Sequence, residues 1–168
     1  MDASIGIGEG SGNRRISGRP YGRLMQTSPA FLEPTTRRRA FPGWSVEIPT
    51  SFDETFILEG VGYWHAWELR RSVSLTSIFL TERGKRVPAD EIVRQTRNVG
   101  PLEEFQDFPV GLIGWVGQGV ALRGSPASRL VSGGLAVEGC ILLATITADD
   151  LAWARSIWLS IRSHPRGH

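Results

Sequence analysis

Cysteine and histidine are scarce in this chain, and their scarcity narrows its chemistry. Cys140 is the only cysteine among 168 residues, so no disulfide can form within the chain. Two of the three histidines, His164 and His168, stand at the C-terminal end, which leaves His65 as the one histidine inside a folded domain. One cysteine and one histidine cannot build a structural zinc site. We therefore predict no metal, no cofactor and no catalytic residue, and a protein that is not an enzyme.

Long apolar segments and lysine are also lacking. The best apolar run, residues 135–147, is interrupted by Glu138, whereas a membrane helix needs about 20 apolar residues. The first ten residues have no cationic start followed by an apolar stretch, as a secretory signal would have. We therefore expect a cytoplasmic protein without a membrane span. Lys85 is the only lysine among 19 basic residues, so the positive charge is almost entirely arginine.

Arginine, glycine, serine and proline dominate the first 43 residues. Seven arginines and three acids there give a net charge of +4, and the remaining 12 basic and 14 acidic residues give −2. Few apolar residues recur with any period, so burial cannot offset the entropy of ordering this segment. We predict a flexible basic tail over residues 1–40, one globular domain over 41–163, and a short C-terminal tail over 164–168.

A basic tail can contact nucleic acid or acidic surfaces. A solvated leader without a partner, or a start codon assigned too far upstream, explains the same composition. Under the nucleic-acid alternative, the phosphate-binding side chains would be Arg14, Arg15, Arg37, Arg38 and Arg39.

Alternating and apolar segments predict a sheet in the globular part. Trp44 to Ile48 alternates with period two and ends at Pro49, and Ser72 to Leu80 places Val, Leu and Phe on one face. Ser132 to Gly134 is a plausible hairpin turn before the final apolar strand. Strands are predicted over residues 44–48, 56–65 with a break at its glycines, 64–69, 72–80, 110–120 and 135–147.

Two helices are predicted, a short one over residues 88–95 and an amphipathic one after Asp150. Pro88 suits the first turn of the short helix. Thr147 is predicted to cap the last helix while Asp150 reaches back. The apolar stripe of this helix is formed by Leu151, Ala154, Trp158 and Ile161.

The element order predicts an α+β fold in which helices flank an antiparallel sheet, closing with a strand and an amphipathic helix. Three segments resemble the Mog1/PsbP-like superfamily: Gly43 to Pro49, Arg71 to Ser77, and Gly139 to Ile161. The resemblance covers about residues 41–163 and implies an α/β/α sandwich. It also implies a binding or assembly role, because members include a Ran-binding protein, a photosystem II extrinsic subunit and bacterial lipoproteins. The absence of an export signal separates this chain from the lipoprotein and lumenal members.

Tryptophan and arginine are concentrated near the middle of the chain, in Trp64, Trp67, Arg70 and Arg71. Aromatic and arginine side chains often anchor protein interfaces, so we predict that these four residues contact another protein. Core filling by at least one tryptophan is the alternative. A small-ligand carrier or an unrecognised enzyme, with a pocket between sheet and helix, is a further alternative.

Overall fold

The computed structural model describes residues 33–57 and 61–164, which contain twelve strands and two helices. The short helix α1 spans Ala89–Thr96 and the last helix α2 spans Leu151–Ser160. The strands are β1 (Thr35–Phe41), β2 (Trp44–Pro49), β3 (Asp53–Ile57), β4 (Tyr63–Glu68), β5 (Arg71–Phe79), β6 (Thr81–Glu82), β7 (Lys85–Arg86), β8 (Glu103–Glu104), β9 (Ile113–Val120), β10 (Arg129–Val137), β11 (Cys140–Ala148) and β12 (Arg162–Ser163).

Seven strands form the main sheet in the order β3-β4-β5-β11-β10-β9-β8. A smaller sheet has the order β1-β2-β12, and β6 and β7 form a separate hairpin. Every pairing in the three sheets is antiparallel. The predicted antiparallel α+β class is therefore confirmed. Of the helices in the described residues, none is long and apolar enough to cross a membrane.

Side chains of the main sheet alternate between two apolar clusters, as a pleated strand requires. Val73, Leu75 and Ile146 belong to the larger cluster, which also takes in Trp158 of α2 and Trp44 of the smaller sheet. Ile141 belongs to a second cluster formed with α1. Cys140 is buried in the larger cluster, which confirms its prediction as a core residue.

The last apolar run is a hairpin, so its prediction as one strand was wrong. β10 ends at Val137, and β11 begins at its direct partner Cys140. Gly139 has a φ of 73° in the turn between them, a conformation that glycine adopts without steric cost. The predicted turn at residues 132–134 instead lies in the middle of β10. Likewise, residues 56–65 hold parts of two paired strands, β3 and β4.

Asp150, rather than Thr147, caps α2. The carboxylate of Asp150 accepts a hydrogen bond from the Ala152 backbone N–H at 2.8 Å. Thr147 is still within β11, and its hydroxyl lies 2.8 Å from that of Ser72 on the neighbouring strand. The strand therefore continues past the predicted cap until its ladder ends.

The boundary predicted at residue 40 was also wrong, because residues 35–40 belong to β1. Arg37 and Arg39 are exposed while Arg38 and Ala40 turn inward, in the alternation of a half-buried strand. The segment pairs with β2 from Thr35↔Pro49 onward. The methylene groups of arginine supply part of the inward face of β1, so residues 35–40 do not show an apolar pattern in the sequence. At the other end, His164 donates its backbone N–H to Gly43 O and belongs to the folded part.

Candidate functional site

The structure does not bring the four predicted contact residues together on one surface. Trp64 is buried at 3% exposure in the larger cluster, and its indole N–H donates to Glu54 at 3.2 Å. Trp67 lies three residues further along β4 and is 38% exposed. Odd and even residues of a strand face opposite sides, so Trp64 and Trp67 cannot contact one partner surface.

The two neighbouring arginines are held by internal contacts. Arg70 follows β4 and pairs with Asp149 at 3.0 Å. Arg71 opens β5 and bonds the carboxylates of Glu33 and Glu68. Its guanidinium carbon lies 5.3 and 5.1 Å from the ring centroids of two aromatic residues, Phe52 and Trp153. Burial alone lowers the pKa of Arg71, but the bonds to both carboxylates outweigh it and raise the pKa. Arg71 therefore ties the start of the described chain to the sheet.

Three rings stack along the outward face of β4. The ring centroids of Tyr63 and His65 are 5.9 Å apart, and those of His65 and Trp67 are 5.2 Å apart. His65 Nδ1 lies 2.8 Å from Ser74 Oγ, to which the Tyr63 hydroxyl donates at 3.1 Å. Burial lowers the pKa of His65 below its ordinary value of 6.5, so the ring is neutral at pH 7.

A serine–histidine contact raises the question of nucleophilic catalysis, which needs an orienting acid and an oxyanion hole. Among the described residues, no carboxylate bonds the ring of His65. β4 and β5 are both internal strands, so their backbone N–H groups serve the ladder. The contact between His65 and Ser74 therefore orders the sheet surface and has no catalytic partners around it.

Three of the five arginines of the nucleic-acid alternative are described, and all three lie in β1. Arg14 and Arg15 lie outside the described residues. Arg37 bonds Glu47 and the Ser160 carbonyl, and Arg38 pairs with Glu54 at 3.8 Å. Arg39 is exposed and has no ion pair within the described part of the chain. One of the three strand arginines is thus available to a partner.

Acidic residues near β8 are likewise engaged. Glu104 bonds Arg97, and Glu103 accepts a hydrogen bond from Gln118 at 3.2 Å. Within residues 33–57 and 61–164, no group of three or more His, Cys, Asp or Glu side chains is arranged to hold a metal ion. The interface of α2 with the main sheet is filled by Trp153, Ile157 and other buried side chains. A pocket of about 200 Å³ lies between α2 and the smaller sheet, beside Thr35 and Glu47, so a pocket between sheet and helix stays a prediction.

An open groove lies where the end of β1 meets β3, and we call it the edge groove. It is lined by residues 39–42, residues 54–56 and Trp64, with a volume of about 620 Å³. The rings of Phe41 and Phe56 are 5.4 Å apart across it. Phe56 is 42% exposed, although phenylalanine is usually buried. The groove therefore combines apolar side chains with a strand at the margin of the sheet.

β3 and β8, the two outer strands of the main sheet, differ in how well they are protected. β8 is two residues long and consists of Glu103 and Glu104, which are features that discourage pairing with another chain. β3 has five residues, all exposed, and its last two are Phe56 and Ile57. Among the described residues, β3 therefore has no neighbouring strand on its outer side, and its unpaired backbone groups lie beside an apolar surface. The sequence showed these apolar residues, but not that their strand would be an outer one.

A solved structure from Bacteroides thetaiotaomicron VPI-5482 is similar to this chain. The TM-score is 0.53 at 10% sequence identity, and the match covers 79% of this chain and 50% of that one. The chain thus spans half the length of the structure that it matches. No family model matches the chain, and no curated protein matches it. At this identity the similarity concerns the fold alone.

Proposed function

We propose that this protein binds another protein by adding an extended segment of that partner to β3, within the edge groove. The observation that carries the proposal is the exposed five-residue outer strand β3 beside Phe41 and Phe56. Strand addition obtains affinity from main-chain hydrogen bonds and specificity from pockets for alternate side chains. The groove volume of about 620 Å³ is in the range of sites that enclose ligands.

The lining of the edge groove defines the segment that fits. Phe56 and Phe41 favour an apolar anchor, because covering exposed aromatic area stabilises a complex by about 25 cal/mol per Å². Arg39 lines the same groove without an ion pair among the described residues, so an acidic residue beside the anchor complements it. Glu54, an acid of the same lining, is paired with Nη1 of Arg38 at 3.8 Å.

The role inferred here is that of a non-enzymatic binding or accessory factor in the cytoplasm. An α/β/α arrangement of the Mog1/PsbP-like kind is compatible with two clusters on opposite faces of the main sheet, and it forms part of the proposal. Its supporting features in the sequence are the strand ending at Pro49 and the final strand–helix unit.

Selection of short random peptides on the full chain tests the proposal. We expect peptides with an acidic residue next to an apolar one, and we expect Phe56→Lys to weaken their binding about tenfold or more, since losing an interface anchor costs about 2 kcal/mol. Leu122→Lys is the matched control, because Leu122 is 80% exposed and lies outside the groove. Peptides that bind F56K as tightly as the unchanged protein would contradict the site.

The geometry of strand addition is tested separately on the peptide. N-methylation of one peptide amide at a time is expected to abolish binding at every second position only, because alternate amides of a strand face the neighbouring strand. Only the peptide is modified in this series, so a loss of binding cannot come from misfolding of the protein. Loss at all positions, or at none, would show that the peptide does not bind as a strand.

A further inference from the structure

A second opening lies at one end of the main sheet, beside the hairpin turn between β10 and β11. We call it the end cleft. It has a volume of about 890 Å³ and is lined by residues of β7, β12, the hairpin turn and residues 110–112. We propose that the end cleft binds a small organic anion, in which a carboxylate or phosphate head group is attached to an apolar body.

Two arginines and one histidine line the end cleft. Arg86, Arg162 and His164 contribute to its wall, and Glu138 is the one acid in its lining. Within the described residues, the Arg86 guanidinium has neither a hydrogen-bond nor an ion-pair partner. Arg162 donates hydrogen bonds from Nη1 to the carbonyls of Leu159 and Ile161, and no described residue bonds its other two nitrogens. Two arginines with unused donors at one cleft match the oxygens of an anionic head group.

Arg86 is fixed in place by the turn opposite it. Gly139 donates its backbone N–H to Val87 O at 2.8 Å and accepts from Leu80 N at 3.0 Å. A Cβ atom on Gly139 would lie 2.8 to 3.1 Å from the Cβ, Cγ and Cδ atoms of Arg86. The stem of Arg86 therefore rests directly on a glycine. This packing reduces the freedom that the side chain would lose on binding.

Apolar side chains supply the rest of the wall. Val110 and Leu112 line the end cleft, and Val110 is 86% exposed. An inorganic ion would leave this apolar area in water, whereas an alkyl or aromatic body covers it. The cleft volume is within the range of about 300–1,000 Å³ that small-molecule sites occupy. Charge and apolar area together thus define an amphipathic anion.

Calorimetric titration of the full chain with acetate, butanoate, hexanoate and octanoate tests both parts of the proposal. We expect the affinity to rise about fourfold for each added methylene. 1-Octanol, which has the chain without the charge, is expected to bind at least about tenfold more weakly than octanoate. Octyl phosphate is titrated as well, to compare a phosphate head group with a carboxylate. Tighter binding of octanoate or of octyl phosphate than of 1-octanol supports the proposal. Equal binding of acetate and octanoate, or of octanoate and 1-octanol, would overturn it.

Variants locate the site. Arg86→Gln is expected to weaken octanoate binding about tenfold or more, because it removes a charge-assisted contact. Arg123→Gln removes the same charge from an exposed residue outside the cleft lining and is expected to leave binding unchanged. Equal losses in R86Q and R123Q would show that net charge alone attracts the anion. Phe56 lies in the edge groove, so the Phe56→Lys variant is expected to bind octanoate as tightly as the unchanged protein. The two proposals can therefore fail independently of each other.

Discussion

Gly133 lies in the middle of β10, where the absence of a side chain admits Trp158 of α2. A Cβ atom there would be 2.7 Å from Trp158 Cη2 and 2.4 Å from the Trp115 carbonyl oxygen. Paired glycines after a serine are typical of hairpin turns, which is why the sequence predicted a turn here. The structure uses the glycine for close approach of an indole ring.

Replacing Gly133 by alanine is therefore expected to lower the free energy of unfolding by about 3 kcal/mol, at the upper end of the usual cost of overpacking. One of the atoms in the way is backbone, which cannot move aside cheaply. Urea denaturation followed by circular dichroism measures the change. Ser132→Ala, at the neighbouring half-buried residue, is the control and is expected to cost less than about 0.5 kcal/mol. Equal midpoints for the two variants would exclude the Trp158 contact.

The alternation of β4 was predictable at the same scale. Trp64 and Trp67 are three residues apart, a spacing that puts them on opposite faces of a strand, and one is buried while the other is exposed. Which face would be covered depended on partners distant in sequence, such as Trp44 and Ile146. Spacing along one strand contains no information about those partners.

At the scale of elements, the start of α2 illustrates how a cap is chosen. Three residues with capping side chains, Thr147, Asp149 and Asp150, precede the helix. Asp149 accepts a hydrogen bond from the Ser128 backbone N–H instead. β11 remains paired with β5 as far as Thr147↔Ser72, so Thr147 is committed to the strand. Asp150 is the next residue whose side chain can reach a free backbone N–H of the first turn.

Asp150→Ala is expected to destabilise the protein by about 1 kcal/mol, because it removes the side-chain acceptor of the helix N-terminus. Thr147→Val keeps the β-branched shape in β11 and is expected to leave the helix intact. Thermal unfolding and amide exchange across Leu151–Ser160 measure both effects. Faster exchange in T147V than in D150A would show that Thr147 is the cap after all.

The position of the turn between β10 and β11 could not be predicted from the sequence. Residues 135–147 are apolar on both sides of the turn because both strands are buried in the middle of the sheet. A continuous apolar run is expected for a fully buried strand, so composition could not locate the turn. The pairing of Val137 with Cys140 is visible only once the chain is folded.

At the scale of the whole molecule, the smaller sheet joins both ends of the described chain. β1 pairs with β2 on one side, and β12 pairs with β2 through Arg162↔Ser45 on the other. His164 adds a side-chain contact, since its Nε2 lies 2.7 Å from Ser45 Oγ. The folded domain therefore includes β1 and His164.

A chain that begins at Pro42 is expected to be less stable than one that begins at Glu33 by at least about 3 kcal/mol, the cost of deleting one buried phenylalanine. The shorter chain lacks β1, including Ala40 and Phe41 of the larger cluster. It also exposes β2 as an unpaired strand, which favours self-association. Thermal melts and light scattering compare the two chains. Equal melting temperatures would support the boundary predicted at residue 40.

The two candidate sites differ in how far the sequence could indicate them. Phe56 and Arg39 are visible as an apolar residue and a basic residue, but their proximity depends on the meeting of two sheets. Arg86 and Arg162 come from distant parts of the chain and line one cleft because Arg86 packs on Gly139 while Arg162 is held by the pairing of β12 with β2. No local pattern records such proximity.

The sequence by itself determined the class of the fold and the location of both helices and of β2, β4, β5 and β9. Period-two alternation, the apolar stripe of α2 and the apolar sequence around Cys140 are local properties, and local spacing is enough to express them. Tertiary structure alone decided which strands lie at the edge, where the last apolar run turns, and which arginines share a cleft. These depend on long-range pairing between strands, whose partners are set by the packing of the whole sheet.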